Sequence, residues 1–231
     1  MQKNIVSKIS KKINRLQKHY FLNYRDLKIQ WIHKIEQPVI LISQIERSGG
    51  TLLSQLFDGH PQVYAHPWEF MWDVPPKHMG MWPNLLNNDE TIDFKKVLEF
   101  KEKFWITRYV NLGFYQKNLK ELKKNPNAPK YPFIYDIHLQ ERIYNKLIKE
   151  EKITNQRQVL NCYLTSFFNA WIDYQNIYTP NKKIVTGFTP RVVMNTENLE
   201  RFFKDYPDGY LLTSIRHPAS WYSSVFKRGY L

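Results

Sequence analysis

The sequence predicts an α/β fold with a parallel central sheet, because short apolar runs alternate along the chain with segments of helical period. Two runs have the apolar, partly β-branched character of buried strands, VILIS at 39–43 and YLLTSI at 210–215, and a third run, KKIVTGF at 182–188, is another strand candidate. A helical pattern follows each run, as in strand–helix–strand units with parallel strands. Ligands bind at the carboxyl ends of such strands, so the segments directly after the runs are the first candidates for a site.

Each run leads into a helix with recognisable ends. The first leads through two glycines into an apolar stripe formed by Leu52, Leu53, Leu56 and Phe57. Gly59 and Pro61 supply the expected stop for that helix. After the second run, either Asn195 or Thr196 is predicted to cap a helix. After the third, HPASWYSSVF begins one more helix, with Pro218 acceptable in its first turn.

The stretch from about 92 to 180 is predicted to be mainly helical and strongly aromatic. Its two long periodic segments, 94–110 and 155–177, are separated by the polar, proline-rich connection KKNPNAPKYP at 123–132. Asp136 and His138 alternate as on a strand or an acceptor loop, and they are candidates for contact with a substrate.

Residues 1–36 form a basic arm, which we separate from a domain spanning 37–231. The 231-residue chain has a net charge of +13, and the arm carries +7 of it, from nine Lys and Arg against two acids. Apolar residues recur in the arm at helical spacing, which predicts an amphipathic helix that is solvated or docks on the core. Contact with an anionic membrane surface or another polyanion is the alternative, and nucleic-acid binding is not expected.

Cysteine content and hydropathy bear on the compartment. Cys162 is the only cysteine, which excludes an internal disulfide and fits a reducing cytoplasm. No stretch of the sequence approaches the roughly 18 apolar residues of a membrane span, and no signal-peptide pattern is present. We therefore expect a cytoplasmic protein, with peripheral membrane contact through the arm as the alternative.

The stretch ERSGGT at 46–51 has the composition of an anion cradle. Gly49 and Gly50 let backbone N–H groups approach a ligand, and the helix that follows adds its positive end. Ser48 and Thr51 add hydroxyl donors, and Arg47 adds a planar charge suited to phosphate or sulfate. A plain glycine turn is the alternative. The triphosphate pattern G-x-x-x-x-G-K-[ST] does not fit, because its lysine and its first glycine are absent.

A second anion-compatible strand end lies in TSIRHPASWYSSVFKRG at 213–229. Arg216 follows the third apolar run, and Ser224 lies eight residues further on, within the next predicted helix. Ser220 shares a helical face with Ser224 and is an alternative donor. An arginine at a strand end is often only a surface charge, but two such ends in one small sheet favour a site for two phosphates.

These segments together resemble sulfotransferases that use 3′-phosphoadenosine 5′-phosphosulfate. ERSGGTLL resembles the 5′-phosphosulfate loop of that family, and IRHPASWYSS resembles its 3′-phosphate motif. LFDGHPQVYAHPWEF and the run from TGFTP to IRHP resemble segments of the carbohydrate and tyrosylprotein branches. The chain differs in having Arg47 where cytosolic members have lysine and in having Gly50 where threonine is common. It also ends at Leu231, just after the second motif, which leaves a short member, a truncated product and a fragment as alternatives.

The resemblance implies a P-loop-like three-layer fold in which 92–180 is a helical insertion on the acceptor side. It implies that Arg47 contacts the transferring sulfuryl group, that Ser48, Gly49, Gly50 and Thr51 cradle the 5′-phosphosulfate, and that Arg216 and Ser224 bind the 3′-phosphate. The implied activity is sulfuryl transfer to a hydroxyl, expected on a carbohydrate or glycolipid, without a metal. A non-catalytic nucleotide- or polyanion-binding protein and a P-loop kinase are the alternatives.

Two residues are candidates for the general base of such a transfer. The branches that the chain resembles use a glutamate near this point, which favours Glu69. His66 is the alternative, because an imidazole suits proton abstraction near neutrality. A packed aromatic turn without a catalytic role is the third interpretation of HPWEF at 66–70, and His60 is interpreted as part of the helix-ending turn DGHP.

Overall fold

The structure is a computed structural model that describes residues 22–70, 81–99, 135–171 and 182–227. Its helices are α1 (22–30), α2 (Gly50–Gln55), α3 (Lys96–Glu99), α4 (Ile137–Glu150), α5 (Gln156–Ala170), α6 (Thr196–Asp205) and α7 (Pro218–Phe226). Its strands are β1 (Val39–Ile42), β2 (Val63–Glu69), β3 (Ile184–Phe188) and β4 (Tyr210–Leu212), and a 3₁₀ helix spans Val192–Met194. The helix predicted in the first half of the arm and most of that predicted at 94–110 lie outside the described residues.

The described strands form one sheet in the order β2-β3-β1-β4, and every neighbouring pair is parallel. On the two sides of β1, Val39 pairs with Val185 and Ile40 pairs with Tyr210. This confirms the predicted α/β fold with a central parallel sheet flanked by helices. Since the four strands run in one direction, their carboxyl ends meet at one edge, which we call the carboxyl edge.

Both outer strands differ from the sequence prediction. The sequence does not predict β2, because His66 and Pro67 interrupt its apolar pattern. As an edge strand β2 pairs on one side only and tolerates the proline, with a register shift between Ala65 and Glu69. A strand is confirmed within 210–215, but the predicted length and burial were wrong: β4 ends at Leu212, it is the outer strand on the side opposite β2, and Ile215 is 93% exposed.

The core is built around α5, in which every residue from Cys162 to Ala170 is buried. Asn155 caps this helix through a capping box with Gln158, which satisfies N–H groups of its first turn. The side chain of Asn195 caps α6, which settles the choice that the sequence left open. The apolar side chains of β1, α4 and α5 join in one cluster.

Asp136 and His138 do not alternate on a strand or acceptor loop, and that prediction was wrong. Asp136 is the N-cap of α4, where its carboxylate accepts hydrogen bonds from the N–H groups of His138 and Leu139. Arg25 of α1 donates to both oxygens of the same carboxylate, at 2.6 and 2.9 Å. Ile35 is completely buried, so residues 22–36 of the predicted arm pack on the core of the sheet domain.

Candidate functional site

The segments after β1 and β4 lie side by side at the carboxyl edge, because β1 and β4 are neighbouring parallel strands. We call residues 43–50 the first loop and residues 213–221 the second segment. Just past the paired strands, the N–H of Ser43 donates to the carbonyl of Leu212 at 3.0 Å. The two candidate motifs of the sequence therefore begin from adjacent points of the sheet.

Side chains of the second segment donate hydrogen bonds to three consecutive carbonyl groups of the first loop, and we call these contacts the carbonyl seam. They run from Trp221 Nε1 to Glu46 O at 2.7 Å, from Arg216 Nη1 to Arg47 O at 3.2 Å, and from Ser214 Oγ to Ser48 O at 2.9 Å. Arg47 and Arg216, which the sequence suggests for one site, are thus in contact across a separation of 169 residues.

The first loop contains two left-handed residues. Arg47 has a φ of 66° and Gly49 a φ of 99°. A side chain added at Gly49 would meet nothing within 4 Å, so this glycine is needed for its backbone conformation and not for space. Arg47 has no such freedom, and its conformation costs roughly 1–2 kcal/mol relative to an ordinary one.

Gly50 is needed for space, for a reason that sequence reasoning missed. A Cβ at Gly50 would lie 1.9 Å from Oε1 of Gln44, a side chain that is 3% exposed. Among the described residues this Oε1 has no hydrogen-bond partner. A glutamine directly after a strand carries no recognisable sequence signal, and only the folded loop shows that its amide packs against the backbone at the start of α2.

The loop after β3 also holds the first loop. The N–H of Arg191 donates to the carbonyl of Gln44 at 3.0 Å, and the N–H of Val193 donates to Ser43 Oγ at 3.0 Å. The guanidinium of Arg191 forms an ion pair with Glu46, and Arg191 is itself left-handed, with a φ of 69°. Sequence reasoning missed Arg191, because the ion pair joins residues 145 positions apart.

Glu69, the favoured base, is the last residue of β2 and lies at the same carboxyl edge. Burial raises the pKa of Glu69 to about 7. The next residue fixes this end of the strand: the N–H of Phe70 donates to Phe188 O at 2.6 Å, and a Cβ at Gly187 would lie 1.6 Å from the ring of Phe70. A carboxyl group with a pKa near neutrality is suited to general-base catalysis at neutral pH.

His66 lies among aromatic side chains of the core and is 6% exposed. The ring centroids of Phe167 and Phe70 are 4.6 and 4.7 Å from that of His66. This position fits the packed aromatic interpretation of HPWEF, and the choice between Glu69 and His66 as the base stays a prediction. His60 lies in the turn between α2 and β2, in agreement with the turn predicted for it.

The residues suggested for a second phosphate lie in α7 and in the segment directly before it. Arg216 is exposed in the segment before this helix, which begins at Pro218 as predicted. Ser220 is exposed and Ser224 is half-buried one turn later. Of these three residues, Arg216 is the one with a hydrogen bond to the first loop.

Further observations concern metal ligands and membrane-spanning helices. Within the described ranges no group of three His, Cys, Asp or Glu side chains is arranged to hold a metal ion. In the same residues no helix combines the length and the apolar character needed to cross a bilayer.

Comparisons with protein-family models, with curated proteins and with solved structures each found no match to this chain.

Proposed function

We propose that the protein is a sulfotransferase of P-loop-like fold that uses 3′-phosphoadenosine 5′-phosphosulfate as donor. The observation that carries the proposal is the carbonyl seam, because it joins two anion-compatible segments from distant parts of the sequence. Glu69 gives a second support, since burial at the same edge raises its pKa to about 7.

The donor has two anionic groups, and each is assigned to one segment. The first loop and the start of α2 bind the 5′-phosphosulfate through backbone N–H groups and the hydroxyls of Ser48 and Thr51. Arg216 and Ser224 bind the 3′-phosphate through charge-assisted hydrogen bonds. This assignment gives both motifs a role and requires no lysine after the glycines.

Transfer needs an activated acceptor oxygen in line with the leaving group. Glu69 takes the proton of the acceptor hydroxyl as its oxygen bonds to sulfur. The bond between sulfur and the bridging oxygen of the 5′-phosphate breaks, and adenosine 3′,5′-bisphosphate leaves with the electron pair. Arg47 and the loop N–H groups neutralise the charge on the transferring group and the leaving phosphate. A carbohydrate or glycolipid hydroxyl is the proposed acceptor.

A thermal-shift comparison separates the proposal from a P-loop kinase. Adenosine 3′,5′-bisphosphate at 100 times its Kd adds about 2.7 kcal/mol of stability, which raises Tm by roughly 5–10 °C for a domain of this size. ADP with magnesium is expected to do less. Equal or larger stabilisation by ADP that depends on magnesium would rule out the sulfotransferase assignment.

Arg216→Ala is expected to weaken the bisphosphate shift. Arg142→Ala is the matched control, because it also removes an exposed arginine, one that contacts Asp26 instead of the first loop. Equal bisphosphate shifts for the two variants would contradict the assignment of Arg216 to the 3′-phosphate.

A transfer assay then separates an enzyme from a binding protein. Donor carrying labelled sulfate is incubated with a panel of hydroxyl-bearing carbohydrates and glycolipids, and transfer of label is measured. Glu69→Gln is expected to bind the bisphosphate and to abolish transfer. Full activity in this variant would remove Glu69 from the mechanism and make His66 the next residue to replace. Bisphosphate binding without transfer to any acceptor would favour a non-catalytic protein.

A further inference from the structure

We propose that Trp221 and Ser214 are positioning residues that keep the first loop shaped for an oxyanion without touching it. The inference rests on the proposed function only in taking the first loop as the place where the 5′-phosphosulfate binds. Neither residue has a role in the motifs from which that function was inferred. Within the part of the chain that the structure describes, the side chains of both residues donate hydrogen bonds to loop carbonyl groups.

The argument follows from the geometry of the peptide group. In a planar trans peptide, the carbonyl of one residue and the N–H of the next point in opposite directions, and no cis peptide bond occurs among the described residues, which include both segments of the site. Trp221 holds the carbonyl of Glu46, and Ser214 holds that of Ser48, on the side of the second segment. The N–H groups of Arg47 and Gly49 therefore face away from the seam, as in concave backbone sites that bind anions.

The seam also explains why the second segment carries donors that no phosphate needs. Trp221 has an indole N–H that can donate but not accept, and it meets the carbonyl of Glu46 at 2.7 Å. Ser214 lies two residues before Arg216. It donates to the carbonyl of Ser48, whereas Arg216 donates to the carbonyl of Arg47. A segment that only bound a 3′-phosphate would require neither contact.

Two pairs of variants separate positioning from general stability. Trp221→Phe removes the N–H and keeps an aromatic ring, and its control is Trp82→Phe, which removes an indole hydrogen bond of 2.8 Å to Asp205. Ser214→Ala is paired with Ser223→Ala, which removes a hydroxyl that donates to the carbonyl of Ala219 at 3.0 Å. The serine pair keeps the test intact if either tryptophan variant fails to fold.

Binding is measured by titration calorimetry, with each variant shown to be folded by circular dichroism. The probes are pyrophosphate, adenosine 5′-monophosphate and adenosine 3′-monophosphate. Trp221→Phe and Ser214→Ala each lose one hydrogen bond to the loop. We expect this loss to raise the Kd for pyrophosphate and for the 5′-monophosphate by about three- to tenfold. The Kd for the 3′-monophosphate in the seam variants, and the Kd for every probe in the two controls, are expected to change by less than about twofold.

Each result bears on one claim. Unchanged pyrophosphate binding in both seam variants would overturn the inference, and so would equal losses in the seam variants and their controls. If the wild-type protein binds pyrophosphate but not adenosine 3′,5′-bisphosphate, the proposed donor is wrong. In that case, weaker pyrophosphate binding in the seam variants still supports the positioning role of Trp221 and Ser214. Absence of binding by the wild-type protein to any of the probes would overturn both.

Discussion

Replacing Glu69 by glutamine tests whether its carboxyl group lies in the environment that base catalysis at neutral pH requires. Burial raises the pKa of Glu69 from 4.5 to about 7. Between these values the native state binds a proton that the unfolded state has released. The stability that Glu69 contributes is therefore complete below pH 4.5 and is lost as the pH rises through about 7. At about 1.4 kcal/mol per pH unit the loss is at most about 3 kcal/mol, and partial exposure of the side chain reduces it.

The assay is urea unfolding of the wild-type protein and Glu69→Gln at pH values on both sides of this range. Glutamine does not titrate, so the variant should gain about 2–3 kcal/mol relative to wild type as the pH rises through the range. Transfer by the wild-type protein should rise over the same range, because only the ionised carboxylate accepts a proton. A stability difference that stays constant with pH would refute the buried environment, and with it the argument for Glu69 as a base tuned to neutrality.

Three further predictions follow from the backbone and the caps. Gly187→Ala should lower the free energy of unfolding by about 1–3 kcal/mol in urea, because its Cβ would lie 1.6 Å from the ring of Phe70; an unchanged midpoint would contradict that packing. Gly49→Ala and Gly59→Ala place alanine at φ values of 99° and 74°, and each should lower the free energy of unfolding by about 1–2 kcal/mol. Only Gly49→Ala should also weaken bisphosphate binding, as measured by calorimetry. Equal binding by these two variants would remove the first loop from the site. Asp136→Ala should lower the free energy of unfolding by about 2–4 kcal/mol, because it removes the cap of α4 and the ion pair with Arg25. It should leave bisphosphate binding unchanged, and weakened binding would make Asp136 a candidate for ligand contact again.

The predictable part of the fold is the part that local sequence determines. The run VILIS predicts β1 because a strand with neighbours on both sides must be apolar throughout, and β1 lies between β3 and β4. The sequence predicts a helix start at Asn195 or Thr196 because both residue types can cap a helix, and in the structure the side-chain oxygen of Asn195 accepts a hydrogen bond from the N–H of Asn198. These features depend on residues within a few positions of one another, so a single sequence is enough to find them.

The parts that could not be predicted depend on residues far apart in the chain. β2 contains Pro67 and becomes a strand because it lies at an edge of the sheet, a position that the sequence does not show. The contact of Trp221 with Glu46 spans 175 positions, and its partner is a backbone carbonyl, which every residue has. Gln44 likewise becomes informative only once it is found against Gly50. Residue types could therefore suggest the ligands of the site, but not the groups that shape it.

The contacts that hold the first loop support the role proposed for it in anion binding. Arg47 and Arg191 both lie in the left-handed region, which costs roughly 1–2 kcal/mol for each; Glu90 has the same conformation in a turn outside the site. The strain persists because contacts from two directions fix it, the carbonyl seam from the side of β4 and the ion pair of Arg191 with Glu46 from the side of β3. A loop fixed in this way loses little conformational entropy when it binds an anion, so more of the interaction energy appears as affinity. Strain held from two sides at the carboxyl edge of a parallel sheet is therefore consistent with the anion-binding role proposed for the first loop.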